Sequence, residues 1–255
     1  RRSPWLRNRI SRCFFGPIKR PPFNRDELLD DMDYYPDEYL NRLAHEGING
    51  LWLTIVFREL AQTSFTKRDP LAEKRLEKLR KTVKQCRRYG IKTWLFSIEP
   101  RNLALNDPLL QENPEFGGAS AYDGNRCFCP SSEKGRQYLY ESVLDIFSQI
   151  PNLGGLINIS HGERATTCLS SVAATDDSPI QCPRCSQIPK WQIHHHTMSA
   201  LIKGIKEANP DAELISWLYQ PQPVTERAAW TYELARHLPQ DVILQYNFES
   251  GACRK

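Results

Sequence analysis

Residues 70–98 read PLAEKRLEKLRKTVKQCRRYGIKTWLFSI, and the reading of this stretch decides the fold. Leu71, Leu76, Leu79, Val83 and Cys86 recur at helical spacing on an otherwise charged background, which predicts an amphipathic helix over 70–89. Gly90 stops it, as a left-handed residue after a helix C-terminus does. Residues 91–98 (IKTWLFSI) follow as a strand.

The same alternation recurs on both sides. Before it, 10–18 (ISRCFFGPI) reads as a first strand, 37–46 (DEYLNRLAHE) as a helix ended by Gly47, and 48–56 (INGLWLTIV) as a second strand. After it come a helix over 132–150, a strand at 155–160 (GLINIS), a helix over 192–208, a strand at 213–219 (ELISWLY), a short helix over 226–237 and a strand at 242–248 (VILQYNF). Helices and strands repeated in this order demand a parallel sheet with right-handed crossovers. A doubly wound open sheet would also hold six strands. The barrel is preferred for two reasons. Polar and acidic residues stand at the C-terminal end of almost every strand, where barrel enzymes keep their sites. No Gly-rich phosphate loop follows any strand. The expected fold is therefore an α/β, (β/α)8 TIM barrel in one domain over residues 1–255. Residues 1–9 would be an N-terminal arm, and the two closing strands are expected beyond Lys255.

Composition excludes several function classes. The 255 residues are 40% hydrophobic and 25% charged, as in ordinary globular proteins. No apolar run reaches the ~18 residues of a membrane helix, so no membrane span is expected. The net charge of +4 is too small to argue for a polyanion, and no nucleic-acid partner is expected. Residues 1–25 hold eight Arg or Lys and no acid, but Asp26, Glu27, Asp30, Asp31, Asp33, Asp37 and Glu38 follow at once, so the two runs offset each other. Nothing in the sequence speaks to oligomeric state.

The strongest chemical signal is Leu156-Ile157-Asn158-Ile159-Ser160-His161-Gly162-Glu163-Arg164. An apolar strand runs straight into a polar cluster containing a carboxylate. Cleavage of a glycosidic bond needs a carboxylic acid at such a place, to protonate the leaving oxygen, and burial or a neighbouring carboxylate must raise its pKa. Glu163 is the candidate acid, with His161 a hydrogen-bond donor to it or to substrate. Two residues are candidates for the second carboxylate, Glu249 after the sixth strand and Glu99 after the third. Glu99, in Ser97-Ile98-Glu99-Pro100-Arg101, is a candidate for substrate binding or an ion-pair partner of Arg101. Sugars are held by aromatic faces and bidentate donors, which points to Trp217, Tyr219, Tyr246 and Asn247.

Residues 128–163 (FCPSSEKGRQYLYESVLDIFSQIPNLGGLINISHGE) resemble family 20 glycoside hydrolases and their relatives, in which a Cys-Pro-Ser-like segment opens a helix and the next strand ends in Asp-Glu. Residues 78–100 resemble that family's third βα unit. The later CPRC segment, helix and NPDAELISW resemble related barrel families. Together these cover about residues 37–220. The resemblance implies a barrel glycosidase acting on a carbohydrate without a cofactor, with Glu163 as acid and Arg12 as a sugar-binding arginine. An extracytoplasmic location follows from the usual habit of glycan-degrading enzymes. Family 20 carries Asp directly before the acid, where it orients the substrate acetamido group. This sequence has Gly162 there, so the substrate-assisted mechanism does not carry over.

Eight cysteines at this length do not make a disulfide scaffold. Cys13 and Cys86 read as buried thiols. Cys182-Pro183-Arg184-Cys185 is a single CxxC, and with Cys168 and His194 it would complete a zinc set. Cys127 and Cys129 are too closely spaced for a second knuckle. A single pair weighs toward a disulfide or free loop thiols. A glycan-binding barrel without catalysis and a metal-dependent hydrolase are the competing functions; against the latter, no histidine pair ends a strand and no HExxH occurs.

Overall fold

The computed structural model describes residues 6–12, 25–162, 164–173, 176–219 and 229–246. Six strands form one parallel sheet: β1 (Ile10–Arg12), β2 (Gly50–Thr54), β3 (Lys92–Ser97), β6 (Gly155–Asn158), β7 (Glu213–Leu218) and β8 (Val242–Tyr246). Their order across the sheet is β1-β2-β3-β6-β7-β8. Each strand thus lies beside its predecessor, and the winding never reverses. A doubly wound sheet must reverse at a switch point; a barrel must not. The strand order alone decides between the two architectures.

The helices cover one face. α1 (Asp37–His45), α3 (Ala72–Arg87), α5 (Glu133–Gln149) and α6 (Lys190–Ala208) follow the predicted segments to within a few residues. Ser132 caps α5, its Oγ accepting from Gly135 N at 2.9 Å. Gly90, past α3, has φ +70°. Leu51, Leu53, Leu95, Leu156 and Leu214 point from the strands into a core with Leu40, Leu76, Leu79, Val83, Leu139, Val143, Leu201 and Ile205 of these helices. Cys86 is buried there as expected. Period-2 alternation sends the intervening residues to the opposite face, where Trp94, Phe96, Ile98, Ile157, Ile159 and Ile215 make a separate cluster with no helical member. That face is the barrel interior.

The sheet is curled. β1 and β7 are four strand positions apart, ~19 Å in a flat sheet. Yet Arg7 Nη2, just before β1, meets Glu213 Oε1 of β7 at 3.0 Å, and Asn8 Nδ2 donates to Glu213 Oε2 at 2.9 Å. The basic segment before β1 is therefore bound at the N-terminal mouth of a half-barrel.

Two excursions at the opposite, C-terminal mouth were legible only as gaps between predicted elements. The first follows β3 and holds α4 (Pro108–Glu112) and a hairpin of β4 (Gly117–Ser120) with β5 (Arg126–Phe128). The second runs from β6 to α6 through two 3-10 turns, Cys168–Ser171 and Cys185–Gln187. A bridge between Phe128 and Thr167 joins them. A one-turn helix α2 (Phe57–Leu60) follows β2, and α7 (Trp230–His237) precedes β8. Of the first predicted strand only residues 10–12 are described; Cys13 lies outside the described residues.

Candidate active site at the strand ends

The interior face carries a chain of aromatic rings toward the C-terminal mouth. Trp52 and Phe96 have ring centroids 4.3 Å apart, Phe96 and Trp217 6.1 Å, and Trp217 and Tyr219 5.6 Å. The Arg12 guanidinium lies 5.6 Å from the centre of the Trp52 ring, close enough for a cation–π contact. Strand register explains the row. Arg12 pairs with Trp52, Thr54 with Phe96, Phe96 with Ile157, and Ile157 with Ile215, and paired residues of parallel strands share a face. Trp52, Trp217 and Tyr219 are half-buried, so the rings combine packing with accessible apolar surface. Arg12, Trp217 and Tyr219 thus come together as the sequence suggested. Trp52 and Phe96 were missed; their place on the interior face follows from their register with Arg12 and Ile157, which periodicity within one strand does not reveal.

Two sequence candidates turn away from this face. Glu99 is 3% exposed. Its carboxylate accepts from Phe57 N at 3.1 Å and Arg101 N at 2.9 Å, with Arg101 Nε at 3.9 Å. Burial pushes its carboxyl above the ordinary range, while Arg101 and the two N–H donors pull it back. It caps the start of α2 from within the protein, with both carboxylate oxygens already accepting from backbone N–H groups. Tyr246 pairs with Leu218, whose side chain packs with Trp230 and Leu234 of α7. Its hydroxyl donates to Thr231 O at 3.1 Å. Tyr246 is on the helix side because it is one residue out of phase with the interior set.

β6 enters the mouth through a buried polar layer. Ser97 Oγ donates to Asn158 Oδ1 at 2.6 Å, and Asn158 Nδ2 to Glu99 O at 2.9 Å. His194 of α6 is bound on both ring nitrogens, Nδ1 to Ser160 Oγ at 3.2 Å and Nε2 to Ser216 Oγ at 2.8 Å. Burial, helped by His161 and His195, lowers its pKa to about 3. His161 is also buried; burial and Lys190 lower it to about 4. Its ring lies 5.2 Å from that of Trp230, edge-on. Among the described residues, neither ring nitrogen of His161, nor Trp230 Nε1, has a hydrogen-bond partner.

Gly162 then passes across the end of β7. Its φ is +116°, and a Cβ there would lie 1.6 Å from Tyr219 O. No side chain fits. The glycine standing where family 20 has its substrate-orienting Asp is required by backbone contact. Glu163, Asn247 and Glu249 lie outside the described residues.

The cysteines of the two excursions converge. Cys129, Cys168, Cys182 and Cys185 are all buried, with their sulfurs within 4.8 Å of one another. Cys129 Sγ is 3.8 Å from Cys182 Sγ and 3.7 Å from Cys185 Sγ, nearly twice a disulfide bond; all four are free thiols. The cluster differs in two ways from the Cys168, Cys182, Cys185 and His194 grouping that the sequence offered as its less favoured alternative. Cys129, at the end of β5, is a member of the set. His194 is not, because its nitrogens are committed to Ser160 and Ser216.

No family model matches the sequence, and no curated protein matches it. Solved structures do. The fold is a partial (β/α)8 barrel. An O-GlcNAc hydrolase from Thermobaculum terrenum superposes with a TM-score of 0.55 at 9% identity, over 94% of this chain and 40% of that one. A glycoside hydrolase family 5 lichenase from Caldicellulosiruptor sp. F32 gives 0.51 at 11% identity, over 94% and 60%. A family 5 enzyme from Prevotella bryantii B14 gives 0.50 at 8% identity, over 94% and 63%. The chain spans less than two thirds of the length of each. These glycosidases share the barrel architecture with it; none points to family 20 in particular. No helix of the described residues is long and apolar enough to cross a membrane.

Proposed function

We propose that this chain is the catalytic barrel of a glycoside hydrolase acting on a glycan chain. The observation that carries the proposal is the row Trp52, Phe96, Trp217 and Tyr219 with Arg12, on the interior face of the strand ends. Aromatic faces match the apolar faces of sugar rings, and a guanidinium offers paired donors to hydroxyls. In barrel enzymes this mouth is where the chemistry is done, and glycosidases share the barrel fold.

In this reading Glu163 is the general acid and Glu249 the nucleophile or base. Asn247 donates to substrate hydroxyls, and neutral His161 hydrogen-bonds to substrate or to Glu163. The backbone contact at Gly162 argues against a substrate-assisted hexosaminidase mechanism, which needs a carboxylate at that position. The protein would work outside the cytoplasm, where glycans are degraded. The polymer is a carbohydrate, so binding should survive above ~0.2 M salt, where phosphate contacts weaken steeply.

The test is hydrolysis of a panel of aryl glycosides and polysaccharides by the full-length protein, beside Glu163→Gln. The wild type is expected to cleave at least one, with kcat falling ~100-fold or more in the variant, as for loss of a general acid. Equal rates would remove Glu163 from the role. Trp217→Ala is expected to raise KM on a polysaccharide about tenfold, roughly 1.4 kcal/mol of stacking, with kcat changed much less. An unchanged KM would take Trp217 out of the substrate site.

The second reading is a barrel that binds glycans without cleaving them. Gly162 favours it, since that position cannot carry a catalytic side chain. Binding without turnover by the wild type would select it. A metal hydrolase using the histidine run fits less well, since His194, His195 and His196 are on α6 and His194 is fully hydrogen-bonded.

A further inference from the structure

We infer that Cys129, Cys168, Cys182 and Cys185 form a tetrathiolate zinc site that clamps together the two excursions at the barrel mouth. The inference does not depend on the proposed function. It rests on geometry. A tetrahedral zinc with bonds of about 2.3 Å holds its sulfurs about 3.8 Å apart, and two of the described separations are 3.7 and 3.8 Å. A multi-iron cluster would spread its thiolates wider, because irons and sulfides lie between them.

The surroundings suit the charge such a site carries. Binding Zn²⁺ displaces the thiol protons, and four thiolates around one dication leave a charge of −2. Arg184, inside the CxxC, donates from Nε to Cys129 Sγ at 3.2 Å. Its Nη2 is held by Glu115 O at 3.0 Å and Gly117 O at 2.7 Å. A hydrogen-bonded cation beside the thiolates is the kind of outer partner that tunes and orients metal ligands. The backbone also makes room. A Cβ at Gly118 of β4 would lie 2.1 Å from Cys168 Sγ and 3.4 Å from Cys182 Sγ, so β4 forms a wall against the sulfurs that only glycine permits.

The four ligands come from three places: the end of β5, the 3-10 turn after β6 and the knuckle before α6. With all four positions filled by protein, the site is closed and structural, with no open position for a substrate. Its work is to tie the excursion after β3 to the one after β6. Cys168 is six residues beyond Gly162, so the clamp anchors the loop that runs out of the strand-end site.

The experiment is metal analysis of the full-length protein, purified under reducing conditions without added metal, beside three variants. One zinc per chain is expected in the wild type, and cobalt(II) in its place should show the visible bands of a tetrahedral thiolate. Cys129→Ser should lose the zinc. Cys127→Ser, which changes a buried cysteine two residues away and outside the set, should keep it, as should His194→Gln. Native thiols should react slowly until a chelator is added. Should Cys129→Ser not fold, the wild-type metal content and cobalt spectrum decide. The inference is overturned if the wild type holds no zinc even after zinc is supplied, if it holds iron, if a disulfide joins any two of the four, or if His194→Gln loses the metal while Cys129→Ser keeps it.

Discussion

Gly162→Ala is expected to lose about 3–5 kcal/mol of unfolding free energy, against about 1 kcal/mol for Gly90→Ala. Two costs add at Gly162. At φ +116° the backbone lies in a region that L side chains rarely adopt, and the new Cβ would fall 1.6 Å from Tyr219 O and 2.6 Å from Tyr219 C. Both contacts are backbone, at the end of a strand hydrogen-bonded into the sheet, so neither can rotate aside. Either the loop after β6 or the end of β7 must move. Gly90 separates the costs, because its φ is also positive, at +70°, while nothing lies within 4 Å of a Cβ there. Denaturant unfolding of both variants and the wild type measures the difference. Equal losses would mean that the loop and β7 do not touch. If the loop moves without global unfolding, the same substitution should also depress any glycosidase activity, since Glu163 is the next residue.

Acid is expected to destabilise the protein between about pH 6.5 and 4, through His161 and His194. Both are buried and neutral, with pKa values lowered from 6.5 to about 4 and about 3. In the unfolded chain both take up protons near pH 6.5. In the folded protein they do so only at the lower values. Above pH 6.5 neither state binds the protons and there is no penalty. As the pH falls below that, the unfolded state binds more protons and is favoured, by about 1.4 kcal/mol per pH unit for each histidine. Over the window the two together cost on the order of 5 kcal/mol. Glu99 works the other way, since its raised pKa lets the folded protein take up a proton first. The comparison that isolates the histidines is therefore wild type against His194→Gln. The variant should start lower at pH 7, having lost part of its bonding to Ser160 and Ser216, and then fall with about half the slope. Parallel pH profiles would show that His194 takes up its proton in the folded protein as readily as in the unfolded one.

What the sequence by itself determined is local. The helix over 70–89, the strand after Gly90 and their repetition follow from side-chain periodicity within a single element, and α3 and β3 lie where that periodicity put them. The parallel character of the sheet followed too, because connections through helices allow nothing else. The CxxC stood out because its spacing is local. The tertiary structure decided whatever depended on which segments meet. Strand order separated a barrel from a doubly wound sheet, since periodicity says that strands exist but not who their neighbours are. Alternation divides each strand into two faces without saying which is interior. Trp52 and Phe96 therefore joined the candidate site, while Glu99 turned to cap α2 and Tyr246 turned to α7. The fourth sulfur came from Cys129, 53 residues before Cys182, because two long excursions fold over the same mouth. His194, closer in sequence, was drawn by Ser160 and Ser216 into the layer beneath. A buried polar atom takes the partner that packing brings within reach, and separation along the chain does not set that.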